Sequence, residues 1–370
     1  MNWSDVMAGA VAGLVLQNVA YPLSRDRFAR WRKRRHFKAA ERAGARMEER
    51  FDSLVLVQAG WSEDGVFAHD SIFLELNAEF TIRRPDVARF RDDRTPQWLS
   101  DGYENGRQVG ISKLRIARVS DRPEDDRAGR SHRVTCRMHE YDYFDFLCTH
   151  RLRLSGTAEE KRVLAEVAGE PNCREPIAGF PNPFSVGLSV FCEGGDYLAL
   201  TRRTQSIGEG GGWHGGKVYN AVGENAALRD FNPGVDGVMR STPYLIAKRG
   251  LWEELGLPEV TVDACEIYLH SLAYAVDLRD HKAFGHVVSP LSRHDLQDAW
   301  RHAPDRSETA GSTLDFQPVR TKSDVRRLLR KIVTEADDWA PEAVFCTVRS
   351  ILARRLLRPA EVTKILSTNK

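Results

Sequence analysis

The chain of 370 residues has no C-x-x-C pair and no histidine at zinc-finger spacing from any of its six cysteines. Cys136, Cys148, Cys173, Cys192, Cys265 and Cys346 occur singly, which excludes a zinc ribbon and reads as reduced thiols, each a small buried hydrophobe. An excess of charge of one sign is also missing. The 54 Lys plus Arg stand against 52 Asp plus Glu, and a net charge of +2 supplies no global field for holding nucleic acid. The mean hydropathy of −0.44 leaves no room for a multi-span channel or transporter. No internal repeat or low-complexity tract is visible. What is present, 42% hydrophobic and 29% charged residues, suffices for a packed core. The length favours two domains, or one large domain with an extension.

From Val6 to Leu23 the run VMAGAVAGLVLQNVAYPL carries no charge. As a helix it would be about 27 Å long, close to the hydrocarbon thickness of a bilayer. Directly after it Arg25, Arg27, Arg30, Arg32, Lys33, Arg34, Arg35 and Lys38 face a single acid, Asp26. By the positive-inside rule this order predicts a single-pass anchor over 1–23 in an inner or plasma membrane, with the body in the cytoplasm. A cleaved signal peptide would carry its positive charge before the apolar run. Interfacial attachment through Phe28 and Trp31, or a helix packed on its own domain, are the alternatives. Gly9 and Gly13 form a G-x-x-x-G spacing compatible with a homodimer, though chance explains it equally well in so small-residue-rich a stretch.

A basic juxtamembrane stalk is expected over 24–50, helical and charged over 36–50, then an α+β region over 51–170 with strands at SLVLVQ, SIFLELN, KLRIARV and RVTCRM and a short helix at TAEEKRVLAEV. Tyr141, Tyr143, Phe144 and Phe146 form an aromatic cluster suited to a core or a domain interface. No catalytic signature lies in this half. The proline-rich stretch 171–183 reads as a linker. After it, SVGLSVFCEGGDYLALTRRT predicts a hairpin across Glu193-Gly194-Gly195-Asp196, followed by a glycine-rich segment.

A helix is predicted over 243–255: Ser241 and Thr242 can cap it, Pro243 suits its first turn and Gly256 the left-handed position beyond it. Leu245, Ile246, Trp252 and Leu255 are its expected buried stripe. Arg249 stands one turn before Glu253, with Glu254 adjacent. Paired carboxylates near a glycine-rich loop suit hard divalent cations bridging phosphate oxygens. Taken alone, the same residues are more often a solvated face with an i,i+4 ion pair.

The stretch Arg249-Gly250-Leu251-Trp252-Glu253-Glu254-Leu255-Gly256-Leu257 resembles the box of the Nudix hydrolase family, G-x5-E-x7-R-E-U-x-E-E-x-G-U, in which U is a bulky aliphatic residue. The hairpin ending in Arg202 and Arg203, Trp213-His214-Gly215-Gly216-Lys217, and Trp339-Ala340-Pro341-Glu342 before a late helix are similar to parts of such a domain, over 184–357, leaving a tail at 358–370. The resemblance implies a Nudix-like mixed-sheet α/β/α sandwich, so that the whole chain is expected to be α+β, with that sandwich preceded by the smaller α+β region and the N-terminal hydrophobic helix read above. It also implies Glu253 and Glu254 as ligands of Mg2+ or Mn2+, Arg249 as the residue orienting the box, and Glu224 as the upstream glutamate and third ligand. Glu224 lies 25 residues before Arg249 instead of eight, so an insertion over about 225–241 must be looped out, and Asp230 and Asp236 are rivals for its role. Glu308 resembles the extra loop glutamate that many members use as ligand or base.

The glutamate that follows the arginine in the family is Gly250 here, which removes a carboxylate. A glycine at that position would also let the loop around Glu224 approach closely. The implied reaction is metal-assisted attack of water on a nucleoside diphosphate linked to another group. Trp213, His214 and Tyr219 are candidates to stack on a base, and Arg202, Arg203 and Lys217 to meet phosphate. A degenerate, nucleotide-binding sensor is the alternative, and a membrane-tethered scaffold the third reading. No nucleic-acid partner is expected.

Overall fold

The computed structural model describes residues 54–62, 64–82, 84–122, 124–125, 130–168, 176–203, 216–276, 279–306 and 311–367. The expected anchor and stalk (1–50) lie outside them. Among the described residues no helix is long and apolar enough to cross a membrane.

In chain order the elements begin with β1 (Leu54–Ala59), β2 (Ile72–Glu79), α1 (Pro85–Ser100), β3 (Arg107–Arg118) and β4 (His132–Asp142). Three short helical pieces follow (Tyr143–Phe146, the π turn Leu147–Arg151, Leu152–Ser155), then α2 (Ala158–Ala168). The second half starts with β5 (Phe184–Cys192), β6 (Tyr197–Arg202), β7 (Val218–Asn220), β8 (Val222–Asn225), β9 (Asn232–Pro233) and β10 (Met239–Ser241). It continues with α3 (Pro243–Leu255), α4 (Glu259–Ala264), β11 (Glu266–Ala275), β12 (Asp280–Val288), α5 (Arg293–Arg301) and β13 (Thr313–Pro318). It closes with α6 (Lys322–Thr334), α7 (Pro341–Ala353) and α8 (Pro359–Leu366), the last within the stretch expected as a tail.

The fold is α+β with two mixed sheets. The larger has eight strands along the path β1-β11-β12-β5-β6-β13, with β7 beside β6 and β8 beside β5; the smaller has the order β3-β4-β2-β10-β9. Each contains one parallel pair, β12 with β5 and β2 with β4. Two strands cross the halves read from sequence: β1 joins the large sheet through β11, and β10 joins the small one through β2.

β5, FSVGLSVFC, is buried at every position, as a central strand covered on both faces must be. Val186, Leu188 and Val190 face a core shared with Ile246, Leu251 and Leu255 of α3 and with Ile72, Ile111 and Val134 of the small sheet. Its alternate residues face α7, where Ser189 Oγ donates to Cys346 Sγ, in a second core built with α6 and α8. The two faces of this sheet therefore have different neighbours: α3 on one, α6 to α8 on the other.

The predicted hairpin forms, with Val190, Phe191 and Cys192 opposite Ala199, Leu198 and Tyr197. The predicted helix over 243–255 also forms. Gly256 ends it at φ 69°, and a Cβ there would lie 2.3 Å from the Ala299 carbonyl, so both conformation and space demand glycine.

Several details differ from expectation. Thr242 occupies the N-cap, but its side chain accepts no capping bond, and Ser241 belongs to β10. The inner stripe of α3 is Tyr244, Ile246, Ala247, Gly250, Leu251, Glu253 and Leu255, while Leu245 and Trp252 are exposed. Packing against β8 selects the face with small residues. The stretch 225–241 is ordered as a strap, with a 3-10 turn at Leu228–Asp230 and two strands that fasten it to the small sheet. Helix α1 was not foreseen. Cys136, Cys148, Cys192 and Cys346 are free and buried as expected, Cys265 is free but only partly buried, Cys173 lies outside the described residues, and burial pushes the Cys136 thiol up to about 12.

Candidate active site

Arg249 projects from the inner face of α3 into a ring of acceptors. Its Nε and Nη2 donate to the two carboxylate oxygens of Asp230 at 2.7 and 3.0 Å. Nη1 lies 2.8 Å from Glu224 Oε1 and 2.5 Å from Glu253 Oε2, and Nη2 also donates to the Asn225 carbonyl at 2.5 Å. Three local structures converge here. One turn of α3 separates Arg249 from Glu253. β8 pairs with β5 and sets Glu224 opposite Val186, on the α3 side. The 3-10 turn of the strap presents Asp230, whose Oδ2 also accepts from the Ala227 N–H. Burial opposes the charge on Arg249, but its hydrogen bonds to Asp230 and the fields of Glu224, Asp230 and Glu253 outweigh it and raise its pKa.

Gly250 explains how Glu224 comes so near. A Cβ at this position would lie 2.8 Å from Val222 Cγ1 and 2.9 Å from Glu224 Cβ. The helix rests its bare backbone on β8, and no side chain larger than hydrogen fits without movement.

Glu224, Glu253 and Asp305 each bring a carboxylate oxygen within 4.8 Å of the others. Asp305 arrives on the 3-10 turn Pro304–Arg306 that follows α5. Glu253 is held from both sides, by Arg249 and by Arg229 Nη2 at 2.6 Å. Burial, reinforced by Glu254 and Glu253 against the pull of Arg249, lifts Glu224 to about 8. Burial and then Glu253 raise Asp305. Two guanidiniums thus face four carboxylates, counting Asp230. Hard oxygen donors with surplus negative charge are the donor set of a divalent cation such as Mg2+ or Mn2+, and these residues fit one. Glu254 stands apart from this group, its Oε1 accepting from the Gly223 N–H at 2.9 Å.

A cavity of about 240 Å³ opens on the face of the large sheet opposite the carboxylates; Gly223 and Asn225, which alternate with Glu224 along β8, line it. On its floor Lys282 Nζ lies 3.5 Å from Asp280 and 3.3 Å from Glu342. Ser185 Oγ donates to Asp280 Oδ2 at 2.9 Å. Burial raises Asp280 to about 6 against the opposing effects of Lys282 and Ser185. Arg203 sits over the Tyr219 ring at 4.6 Å on the same wall.

Of the residues singled out in the sequence, the structure brings Glu224, Arg249 and Glu253 together and puts Glu254 on the adjoining strand edge. Asp230 is inside the cluster but grips the arginine, and Asp236 is at the surface with Arg240. Arg203 reaches the cavity; Arg202 is engaged by the Gly216 carbonyl at 3.1 Å. Lys217 accepts through its carbonyl from the Arg203 N–H. Trp213, His214 and Glu308 lie outside the described residues. Sequence reasoning passed over Asp305, three residues before the glutamate it chose, and the Asp280, Lys282 and Glu342 group. The charged residues Asp280 and Lys282 within the β-type run DHKAFGHVV were the available signal, since buried charge is rare without a reason. No family model matches the chain, and no curated protein matches it.

Proposed function

We propose that the chain is a membrane-anchored hydrolase of Nudix type that cleaves a nucleoside diphosphate linked to another group, using Mg2+ or Mn2+. One observation carries this reading: despite the 25-residue separation, Glu224 meets Arg249 and Glu253 beside Asp305. The sheet with α3 on one face and α6 to α8 on the other supports a Nudix-like sandwich. Glu224, Glu253 and Asp305 would hold the metal, which supplies charge neutralisation for the phosphates and a lowered pKa for bound water. Arg249 fixes the carboxylates that surround it, acting as a positioning residue. Arg203, at the cavity wall, is placed to meet a phosphate oxygen. In the reaction water adds to one phosphorus, the bridging P–O bond breaks, and the released proton passes to solvent.

The sensor reading has its own support. Both oxygens of Glu253 are engaged by arginines, Glu254 is engaged by backbone, and Gly250 leaves the box one carboxylate short. The deciding experiment is product release from a panel of nucleoside diphosphate derivatives with magnesium or manganese, beside Glu253→Gln/Glu254→Gln. Metal-dependent cleavage that falls at least about 100-fold in the variant supports the hydrolase. Saturable nucleotide binding with unchanged ligand supports the sensor.

A further inference from the structure

The cavity on the α7 face of the large sheet contains two polar atoms that the described residues leave unserved. Asp280 and Asn220 are each more than nine-tenths buried, both line the cavity, and Oδ1 of each has no hydrogen-bond partner among the described residues. A buried acceptor without a donor is costly, and such groups in a native protein call for a specific reason. The surroundings narrow what that reason is. Lys282 already places an ammonium between Asp280 and Glu342, so a second cation would be set against the first. A neutral N–H donor meets no such opposition. The volume, about 240 Å³, is below the roughly 300 Å³ at which pockets for drug-sized ligands begin, which suits one ring system. Tyr143 and Phe146 lie nearly parallel, 19° apart with centroids 5.9 Å from each other, and add an aromatic wall from the region that leads out of the small sheet.

We infer that this cavity seats a flat heteroaromatic ring that offers adjacent N–H donors to Asp280 and Asn220, as the guanine edge does. The inference rests on the hydrolase reading in taking a nucleoside as the group to be seated, with its phosphates leading past Gly223 and Asn225 round the edge of β8 toward the carboxylates on the other face. It also gives the first half of the chain a role in selecting the ligand, through Tyr143 and Phe146. A site built to pair with a ring's N–H groups discriminates strongly against an analogue lacking them, because the acceptors then stay buried and unpaired.

The test uses the full chain in mild detergent with no divalent metal, and guanosine, inosine and uridine as probes in equilibrium dialysis. Guanosine is expected to bind saturably at millimolar concentration or below, with inosine and uridine at least ten-fold weaker. Asp280→Asn should weaken guanosine at least ten-fold with cooperative unfolding retained. Asn220→Ala, run in parallel, removes the second acceptor and gives the same answer where Asp280→Asn does not fold. Phe146→Ala should weaken all three nucleosides by a similar factor. Absence of nucleoside binding, equal affinity for guanosine and uridine, or unaltered guanosine affinity in both acceptor variants overturns the inference. The probes carry no phosphate and the metal is omitted, so failure of the hydrolase reading leaves this measurement intact. A chain that cleaves diphosphates but takes no nucleoside removes the cavity assignment alone.

Discussion

On the α3 face of the large sheet, Arg249 gives hydrogen bonds to Glu224, Asp230, Glu253 and a backbone carbonyl. On the opposite face Lys282 sits between Asp280 and Glu342, and an oxygen of Asp280 has no partner among the described residues. Both clusters are buried and both join cations to a larger number of acids. In the first, the guanidinium fork is bidentate to Asp230 and gives one bond each to Glu224 and Glu253, which fixes their orientation. In the second, a point charge compensates the acids without satisfying each oxygen. The difference separates an arrangement that holds carboxylates in position for a metal from one that keeps an acceptor open for a ligand.

Breaking the arginine-centred cluster should have the largest effect. Arg249→Met leaves three carboxylates buried without their shared cation, and stability should fall by about 3–5 kcal/mol in denaturant unfolding. A loss below about 1 kcal/mol would show that the ring of acceptors is not what fixes this region.

The open cluster should show itself through pH. Asp280 is raised from 3.8 to about 6, so the unfolded chain releases this proton first and the group's contribution to stability is lost as pH rises from about 4 to about 6. At roughly 1.4 kcal/mol per pH unit the loss is about 3 kcal/mol. Asp280→Asn lacks it. The stability of this variant relative to the parent should therefore rise by up to that amount between pH 4 and 7, and parallel unfolding curves across the window would contradict the placement of Asp280.

The contact that brings α3 onto β8 gives a smaller effect. Gly250→Ala gains about 1 kcal/mol in helix propensity but drives a Cβ into Val222 and Glu224, so a net loss of about 1–3 kcal/mol is expected. Gly250→Glu, which supplies the glutamate found in the family pattern, should be worse still and should not raise turnover. The smallest effect belongs to Leu245→Ser, on the exposed side of α3, which should stay within about 0.5 kcal/mol.

The elements that were legible in the sequence are those with a period and punctuation. The hairpin showed alternation around Glu193-Gly194-Gly195-Asp196, and α3 had Pro243 at one end and Gly256 at the other. Helix α1 had neither; it buries only Val87, Phe90 and Trp98 and contains Pro96, so no apolar stripe marked it. Apolar character also failed to identify the inner face of α3, because Gly250 and Ala247 pack inward by being small while Trp252 stays outside. At the site, the resemblance directed attention to Arg249, Glu253 and Glu224, but the structural role of Asp230 depends on a strap whose path is set by pairing between β10 and β2. Asp280 and Lys282 depend on strands that are distant in sequence and neighbours only in the sheet. Those contacts are tertiary, and spacing along the chain does not encode them.

The measurement that bears most directly on the division between the two faces is calorimetric titration of the protein with Mn2+. Saturable uptake by the parent, weakened at least ten-fold in Glu253→Gln and Asp305→Asn and unchanged in Asp280→Asn, is the predicted result. No uptake by the parent, or equal uptake by all four proteins, would contradict the assignment of the metal to the α3 face.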